Sequence, residues 1–355
     1  MDFNKIFTPA AVALRWTENV SNLQEYLGPR LFPAKRKAGL DLSWFQGSHG
    51  LPISLMPSAF DAKATYRDRV GFERLETEMP FFREGYKVKE KDRQELLRAR
   101  DSKDPYAEAV LDRIFDDAAE LISGAEVAAE RMRMQLLFPV NGSLGISIKA
   151  NGMDYTYNYD PDGSWKTGNY IALTGNDLWT AKTTADPFKA FKAAKDAVRK
   201  KTGANLTTAI MTTATFNMMA ATDAVKNRWL TTTGRSMGYL TDGEVAATLR
   251  DTSQINIALY DKMYKDESKI AHSYAPDGYV CLVPDGILGN TWRGTTPEEA
   301  DLQGNPQAEV SIVNNGVAVT RIVEPHPVNT NIIVSEIVLP SFERMDDVAV
   351  LKVTA

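Results

Sequence analysis

The sequence predicts a mixed α+β fold, in which helices and strands occupy separate segments of the chain. The first reason is residues 105–137, where apolar side chains recur at helical spacing. The second is a helix–strand–helix order between residues 186 and 224. The third is a set of apolar runs typical of strands, at 279–283, 308–313, 318–323, 332–339 and 348–353.

The composition is that of a folded protein, because 43% of the residues are hydrophobic and 25% are charged. At 355 residues the chain is longer than one core usually holds, so two or three linked substructures are expected. No apolar run is long enough to span a bilayer, and the first residues lack the pattern of a signal peptide. We therefore expect a protein made in the cytoplasm.

Charge and cysteine content exclude further classes of protein. The net charge is −5, whereas proteins that grip nucleic acid usually carry a basic excess that neutralises phosphates. A single cysteine, Cys281, permits neither an intrachain disulfide nor a zinc site built from cysteines. Three histidines, distant from one another in sequence, give little support to histidine-based chemistry.

The first forty residues are interpreted as an arm with little core of its own. One short helical face is predicted, ending at Gly28-Pro29 and formed by Leu14, Val20, Leu23 and Leu27. The basic run at 35–37 is typical of an exposed connector. Such an arm needs another surface to lie on.

Residues 47–87 contain two polar, extended-looking stretches, 59–67 and 72–78, around a predicted turn at 68–71. As one long hairpin, each arm of about 20 residues would reach on the order of 60 Å. An isolated two-stranded ribbon of that length needs a partner surface. Two ordinary loops with a short strand are the alternative.

Residues 105–137 form the clearest predicted helix. Asp104 is a good N-cap, Pro105 suits the first position, and Pro139 stops the helix. Next, Asn151-Gly152 predicts a tight turn between strands at 143–149 and 153–159. A second helix is predicted from Pro187 to about Lys201, followed by a strand at 208–213 and a helix at 214–224.

One short motif could support catalysis. Residues 234–238 fit the G-x-S-x-G pattern of serine esterases, with Ser236 as the nucleophile. That elbow needs an apolar strand before it, whereas the preceding residues here are three threonines, 231–233. A glycine-flanked loop is the simpler interpretation.

Other candidate sites have ordinary structural explanations. A carbohydrate-stacking surface and cross-strand packing both explain Tyr155, Tyr157, Tyr159 and Trp165. Residues 160–163 resemble part of a calcium loop but lack its downstream ligands, which favours an exposed turn. The basic face of the helix at 187–201 is typical of a solvated surface. We predict no catalytic residue, cofactor or metal site.

The order of the elements resembles that of the major capsid protein of tailed bacteriophages, nearest to the lambda-type (capsid protein E) family. The stretches that carry the resemblance span nearly the whole chain: 50–52, 131–137, 154–155, Trp165, 185–188, 284–286, 288–291 and 338–344. Encapsulin compartments share that fold and are the alternative within it.

The resemblance implies the tailed-phage capsid (HK-ninety-seven type) fold. Its parts would be an N-terminal arm at 1–40, an extended loop at 41–95, a peripheral domain at 96–185 and 331–355 with the spine helix 105–137, and an axial domain at 186–330. Pentamers and hexamers of this chain would then form an icosahedral shell around double-stranded DNA.

The resemblance also implies where contacts form. The extended-loop tip, with Arg67, Asp68, Arg69 and Gly71, would contact a neighbouring subunit, and Lys35, Arg36 and Lys37 would meet DNA non-specifically at the inner face. Expected partners are a separate scaffolding protein, a portal and a decoration protein, with no membrane. The protein would be located in the virion.

Overall fold

The computed structural model describes residues 7–20, 25–46, 73–92, 94, 105–150, 152–234, 240–266, 268–302, 304, 308–326 and 328–355. The helices are α1 (Pro9–Val20), α2 (Gly28–Leu31), α3 (Pro105–Leu137), α4 (Ser164–Asn169), α5 (Pro187–Thr202), α6 (Thr213–Ala220), α7 (Asp223–Thr233), α8 (Asp242–Ser253) and α9 (Pro297–Asp301).

The strands occupy both halves of the chain. They are β1 (Ala34–Arg36), β2 (Asp41–Gln46), β3 (Glu73–Glu78), β4 (Phe81–Val88), β5 (Gly145–Ala150), β6 (Met153–Asn158), β7 (Tyr170–Ala172), β8 (Leu206–Met211), β9 (Asn256–Leu259), β10 (Met263–Lys265), β11 (Ala271–Ser273), β12 (Tyr279–Pro284), β13 (Asn290–Arg293), β14 (Ala308–Val313), β15 (Val317–Pro325), β16 (Val328–Ser341) and β17 (Ala349–Lys352). The α+β expectation is confirmed.

The chain folds into two compact units. Unit 1 comprises Met1–Ser43, Glu76–Met132 and Asn290–Ser341, and unit 2 comprises Trp44–Leu75, Arg133–Gly289 and Phe342–Ala355. These boundaries differ from the expected domain boundaries. Residues 290–330 lie with the first part of the long helix, and residues 342–355 lie with residues 186–289. The peripheral and axial roles stay predictions.

Unit 1 is built on a six-stranded sheet in the order β1-β13-β16-β15-β14, with β4 also paired to β16. The 14-residue strand β16 pairs antiparallel with β15, β13 and β4 along its length. The apolar stripe of α3 packs on this sheet, where Ile114, Ala118 and Ile122 meet Val319 and Val334. Burial of this stripe explains why the helix forms there.

Helix α1 packs on the same core. The rings of Phe7 and Phe115 meet edge to face at 5.0 Å, and Val12 and Trp16 are buried. The predicted face was wrong, because Leu14 is 62% exposed. The part of the arm formed by residues 7–20 therefore packs against the chain's own long helix and sheet.

Unit 2 is built on a five-stranded sheet in the order β7-β17-β12-β8-β9. All six residues of β12 are buried in its centre. Helices α5 to α8 contribute to one core with the sheet, around Trp179, Phe191 and Phe216. Two antiparallel two-stranded ribbons, β5–β6 and β10–β11, complete the described part of this unit.

Two predicted helices are confirmed closely. The long helix has the predicted bounds. In α5, the Asp186 side chain accepts hydrogen bonds from the amides of Phe188 and Lys189, and Gly203 ends the helix with a φ of 79°. The hairpin at 145–158 is also confirmed, with Gly152 at a φ of 77°.

Three local predictions were wrong. The single helix expected at 214–224 is two helices, because Thr222 adopts an extended conformation before α7. Gly28-Pro29 begins the short helix α2, in which proline takes an early position. The run 35–37 is not a free connector, because Lys35 and Arg36 belong to β1, which pairs with β13 in parallel.

Candidate functional site

The predicted extended loop is entered and left through paired strands. The predicted tip residues Arg67, Asp68, Arg69 and Gly71 lie outside the described residues. On either side, β2 pairs with β3, and the Met79 amide donates to the Leu40 carbonyl at 2.9 Å. We call the β2–β3 pair the extended ribbon. Strand β3 coincides with the predicted stretch 72–78, but its described partner is β2 at 41–46, whereas the stretch expected to pair with it, 59–67, lies outside the described residues. The choice between one long hairpin and two ordinary loops stays a prediction.

The basic residues 35–37 are held against β13. The Arg36 guanidinium contacts both carboxylate oxygens of Glu299, at 2.5 and 2.6 Å. The Lys35 ammonium lies 5.6 Å from the centre of the Trp292 ring, and the Lys37 amide donates to the Arg293 carbonyl. The charge of Arg36 is therefore balanced within the chain, and contact of residues 35–37 with DNA stays a prediction.

A buried ion cluster in unit 1 was not predicted. The Arg293 guanidinium, 1% exposed, lies 2.5 Å from Glu126 on α3 and 4.0 Å from Glu336 on β16. It also donates to the Asn314 carbonyl at 2.8 Å. Burial opposes its charge, yet the two carboxylates outweigh burial and raise the pKa of Arg293. The cluster ties the long helix to the sheet, and its charged groups are buried.

Three large apolar side chains in or beside the ribbon β10–β11 are exposed. Leu259, Met263 and Ile270 are 46%, 62% and 58% exposed. We call these three side chains the apolar tip. Leu259 ends β9, Met263 begins β10, and Ile270 immediately precedes β11. Among the described residues, β9 is an edge strand of its sheet. These side chains are close together in sequence and are candidates for contact with another molecule.

The ribbon β10–β11, which begins at Met263, is fixed at both ends. The Tyr264 and Tyr274 rings lie 4.8 Å apart, and Tyr274 donates its amide to the Lys262 carbonyl. At the turn, Asp266 accepts from the amide of Ile270 and pairs with His272. The hydrogen bonds from His272 and the amides lower the pKa of Asp266. The ribbon is therefore well ordered before any partner binds.

The esterase hypothesis lacks its structural context. Ser236 lies outside the described residues. A helix, α7, ends at Thr233 immediately before Gly234, where the nucleophile elbow requires a strand. The strand–turn–helix arrangement that would strain and expose the serine is therefore absent on its N-terminal side.

The proposed carbohydrate surface is also wrong. Trp165 and Tyr159 are fully buried, and the Trp165 indole donates to the Met345 carbonyl at 2.8 Å. Only Tyr155 and Tyr157 are half-exposed. The residues therefore serve packing within unit 2.

The remaining candidates have structural roles. Asp160 accepts hydrogen bonds from the amides of Trp165 and Lys166, so it organises a turn. On the basic helix, Lys195 donates to the Ser253 carbonyl and Lys201 pairs with Asp346. In the described ranges, no group of three or more histidine, cysteine or acidic side chains could hold a metal ion. No helix among the same residues is long and apolar enough to cross a membrane.

Comparison with known proteins decides the family. Residues 10–353 match the family model described as phage major capsid protein E. The chain belongs to this family. The lambda-type resemblance is confirmed, and so is the capsid protein function. A phage family also favours the capsid over the encapsulin alternative. A search of characterised proteins finds no match to this capsid protein.

Solved structures agree on the fold. The capsid protein is similar to a phage-related protein from Bordetella bronchiseptica, with 12% identity, 96% of each chain covered and a TM-score of 0.53. It is also similar to the capsid subunit of cyanophage A-1(L), with 13% identity, 92% of each chain covered and a TM-score of 0.53. For the mature capsid of bacteriophage PhiM1 the identity is 10%, the match covers 93% of this chain and 87% of that chain, and the TM-score is 0.50. The tailed-phage capsid fold is thereby confirmed.

Proposed function

We propose that this capsid protein assembles as pentamers and hexamers into an icosahedral head shell that encloses the phage double-stranded DNA. The family match over residues 10–353 carries the proposal. The extended ribbon supports it, because a two-stranded ribbon alone is marginally stable in water and gains stability by lying on another surface. Repeated in a closed symmetric shell, many modest contacts add up.

We assign roles to the two units on this basis. Unit 1 contains most of the long helix and the strands that lead to the extended ribbon, which suits the peripheral domain. Unit 2 contains the apolar tip, which suits the axial domain, where copies meet around a symmetry axis. The boundaries of these domains then follow the compact units.

Contacts with other molecules follow from the same proposal. Arg67, Asp68, Arg69 and Gly71 would contact a neighbouring subunit. DNA would meet the inner face only weakly, since a net charge of −5 gives little electrostatic grip on phosphates. A separate scaffolding protein, a portal and a decoration protein remain expected partners, assembly would take place in the host cytoplasm, and no catalysis is required.

Charges placed on the apolar tip should block assembly. In the double variant Met263→Glu, Ile270→Glu, two carboxylates would lose their hydration where copies meet. This desolvation makes the free energy of association less favourable. Both side chains are exposed in the single chain, so the thermal unfolding temperature should stay unchanged. We expect soluble protein without shells, as seen by negative-stain microscopy and size-exclusion chromatography.

The control for this experiment keeps the surface apolar. Met263→Leu with Ile270→Val should assemble as the native protein does, because both replacements preserve apolar contact. Normal shells from the glutamate variant would show that the apolar tip is not a contact between copies.

A further inference from the structure

Two consecutive glutamates of α9 hold two distant arginines. Glu299 contacts Arg36 of β1 at 2.5 Å, and Glu298 contacts Arg83 of β4 at 2.5 Å. Thr296 caps the short helix by accepting a hydrogen bond from the Glu299 amide. All of these residues belong to unit 1. One helical turn is therefore bound to two strands that are far apart in sequence.

The two arginines lie on either side of the extended ribbon in the sequence. Arg36 ends β1, shortly before β2 begins, and Arg83 lies in β4, shortly after β3 ends. The two ion pairs consequently flank the extended ribbon, one where the chain enters it and one where the chain returns. We call the segments 34–40 and 79–88 the feet of the ribbon.

The carboxylates are the fixed partners in these pairs. The Glu298 side chain is 6% exposed and the Glu299 side chain 15%, whereas Arg36 and Arg83 are 42% and 48% exposed. Ser335 of β16 donates its hydroxyl to Glu298 at 2.8 Å. Burial on one side limits solvent screening, so these pairs are stronger than pairs between two fully exposed groups.

The entering foot also lies against the sheet without spare room. Gly39 has a φ of +85°, and its carbonyl oxygen is 3.1 Å from the place where a Cβ on Gly294 would lie. The same Cβ would be 2.7 Å from a methyl carbon of Ile337. Only glycine at residue 294 allows this close approach. The entering foot is therefore packed closely against the backbone at residue 294.

We propose that Glu298 and Glu299 form a two-point clamp that couples the two feet of the extended ribbon. A change at one foot is transmitted through α9 to the other. The consequence for assembly rests on the proposed function, because the ribbon must reach a neighbouring copy. The coupling itself is a property of the single chain.

Hydrogen exchange of the unassembled full-length protein, followed by mass spectrometry, tests the clamp. Glu299→Gln should speed exchange about tenfold in its own foot, 34–40, the change expected for loss of a hydrogen bond to a charged group. The clamp predicts a clear increase in the other foot, 79–88, as well. Glu298→Gln should show the reciprocal pattern, and Arg36→Gln should reproduce that of Glu299→Gln from the exposed side.

A matched control removes an ion pair elsewhere in the same sheet. Glu309 pairs with Arg321 across β14 and β15, and the Glu309 side chain is 51% exposed. Glu309→Gln should leave exchange in both feet unchanged. If each clamp variant affects only its own foot, or neither foot, the coupling is wrong, whether or not the protein forms shells.

Discussion

Replacing Arg293 with methionine should lower the free energy of unfolding by about 3–5 kcal/mol. The guanidinium is buried between Glu126 and Glu336, and its removal leaves their carboxylates without their cation in a region of low dielectric. Methionine fills much of the space but supplies no positive charge. Urea unfolding of the unassembled protein, followed by tryptophan fluorescence and circular dichroism, measures the effect.

An exposed ion pair provides the control for Arg293. Lys149 and Asp154 pair at 2.8 Å across the β5–β6 hairpin, with side chains 67% and 54% exposed. Lys149→Met should cost less than about 1 kcal/mol, because solvent screens the pair. Equal losses in the two variants would show that the buried cluster contributes no more than a surface pair.

Trp165→Ala should cost about 3–5 kcal/mol, through lost burial and a cavity. The side chain is fully buried in unit 2, and its indole nitrogen donates to the Met345 carbonyl. The variant leaves that carbonyl without its indole donor as well. The same unfolding measurement applies, with near-ultraviolet circular dichroism to report on tertiary packing.

Tyr157→Ala is the matched comparison for Trp165. Tyr157 lies on β6 close by in sequence but is half-exposed, so its loss should cost clearly less. A small effect at Trp165, equal to that at Tyr157, would contradict its assignment as a core residue.

The most accurate predictions concern helices whose caps and apolar periodicity lie within the helix or next to it. The bounds of α5 follow from Asp186, Pro187 and Gly203, each of which acts within one turn of the helix. The long helix is similar, since its apolar stripe and Pro139 lie within or next to it. Local capping and periodicity specify such elements before any tertiary contact forms.

The features that were not predicted depend mostly on contacts between residues distant in sequence. Arg293 and Glu126 are 167 positions apart, and no spacing rule joins them. Strand β1 is three residues long and exists because β13 lies beside it. The split between α6 and α7 depends on Thr222, which can continue a helix or begin one. These features follow from tertiary context, which overrides weak local propensity.

The functional surface was predicted unevenly for the same reason. The extended stretch at 72–78 was anticipated and is β3, whereas its partner β2 at 41–46 was not, because the expected partner was the stretch 59–67. The apolar tip was missed, because Leu259, Met263 and Ile270 are separated by polar residues and their exposure depends on the fold. Arg36 was singled out for its charge, yet its partner Glu299 comes from a remote helix.

Electron cryomicroscopy of the particles that this protein forms tests the central claim most directly. We expect closed icosahedral shells, in which the density of β2 and β3 lies on an adjacent subunit. The contradicting result is a population of single, stable particles under all assembly conditions, with β2 and β3 packed against their own chain.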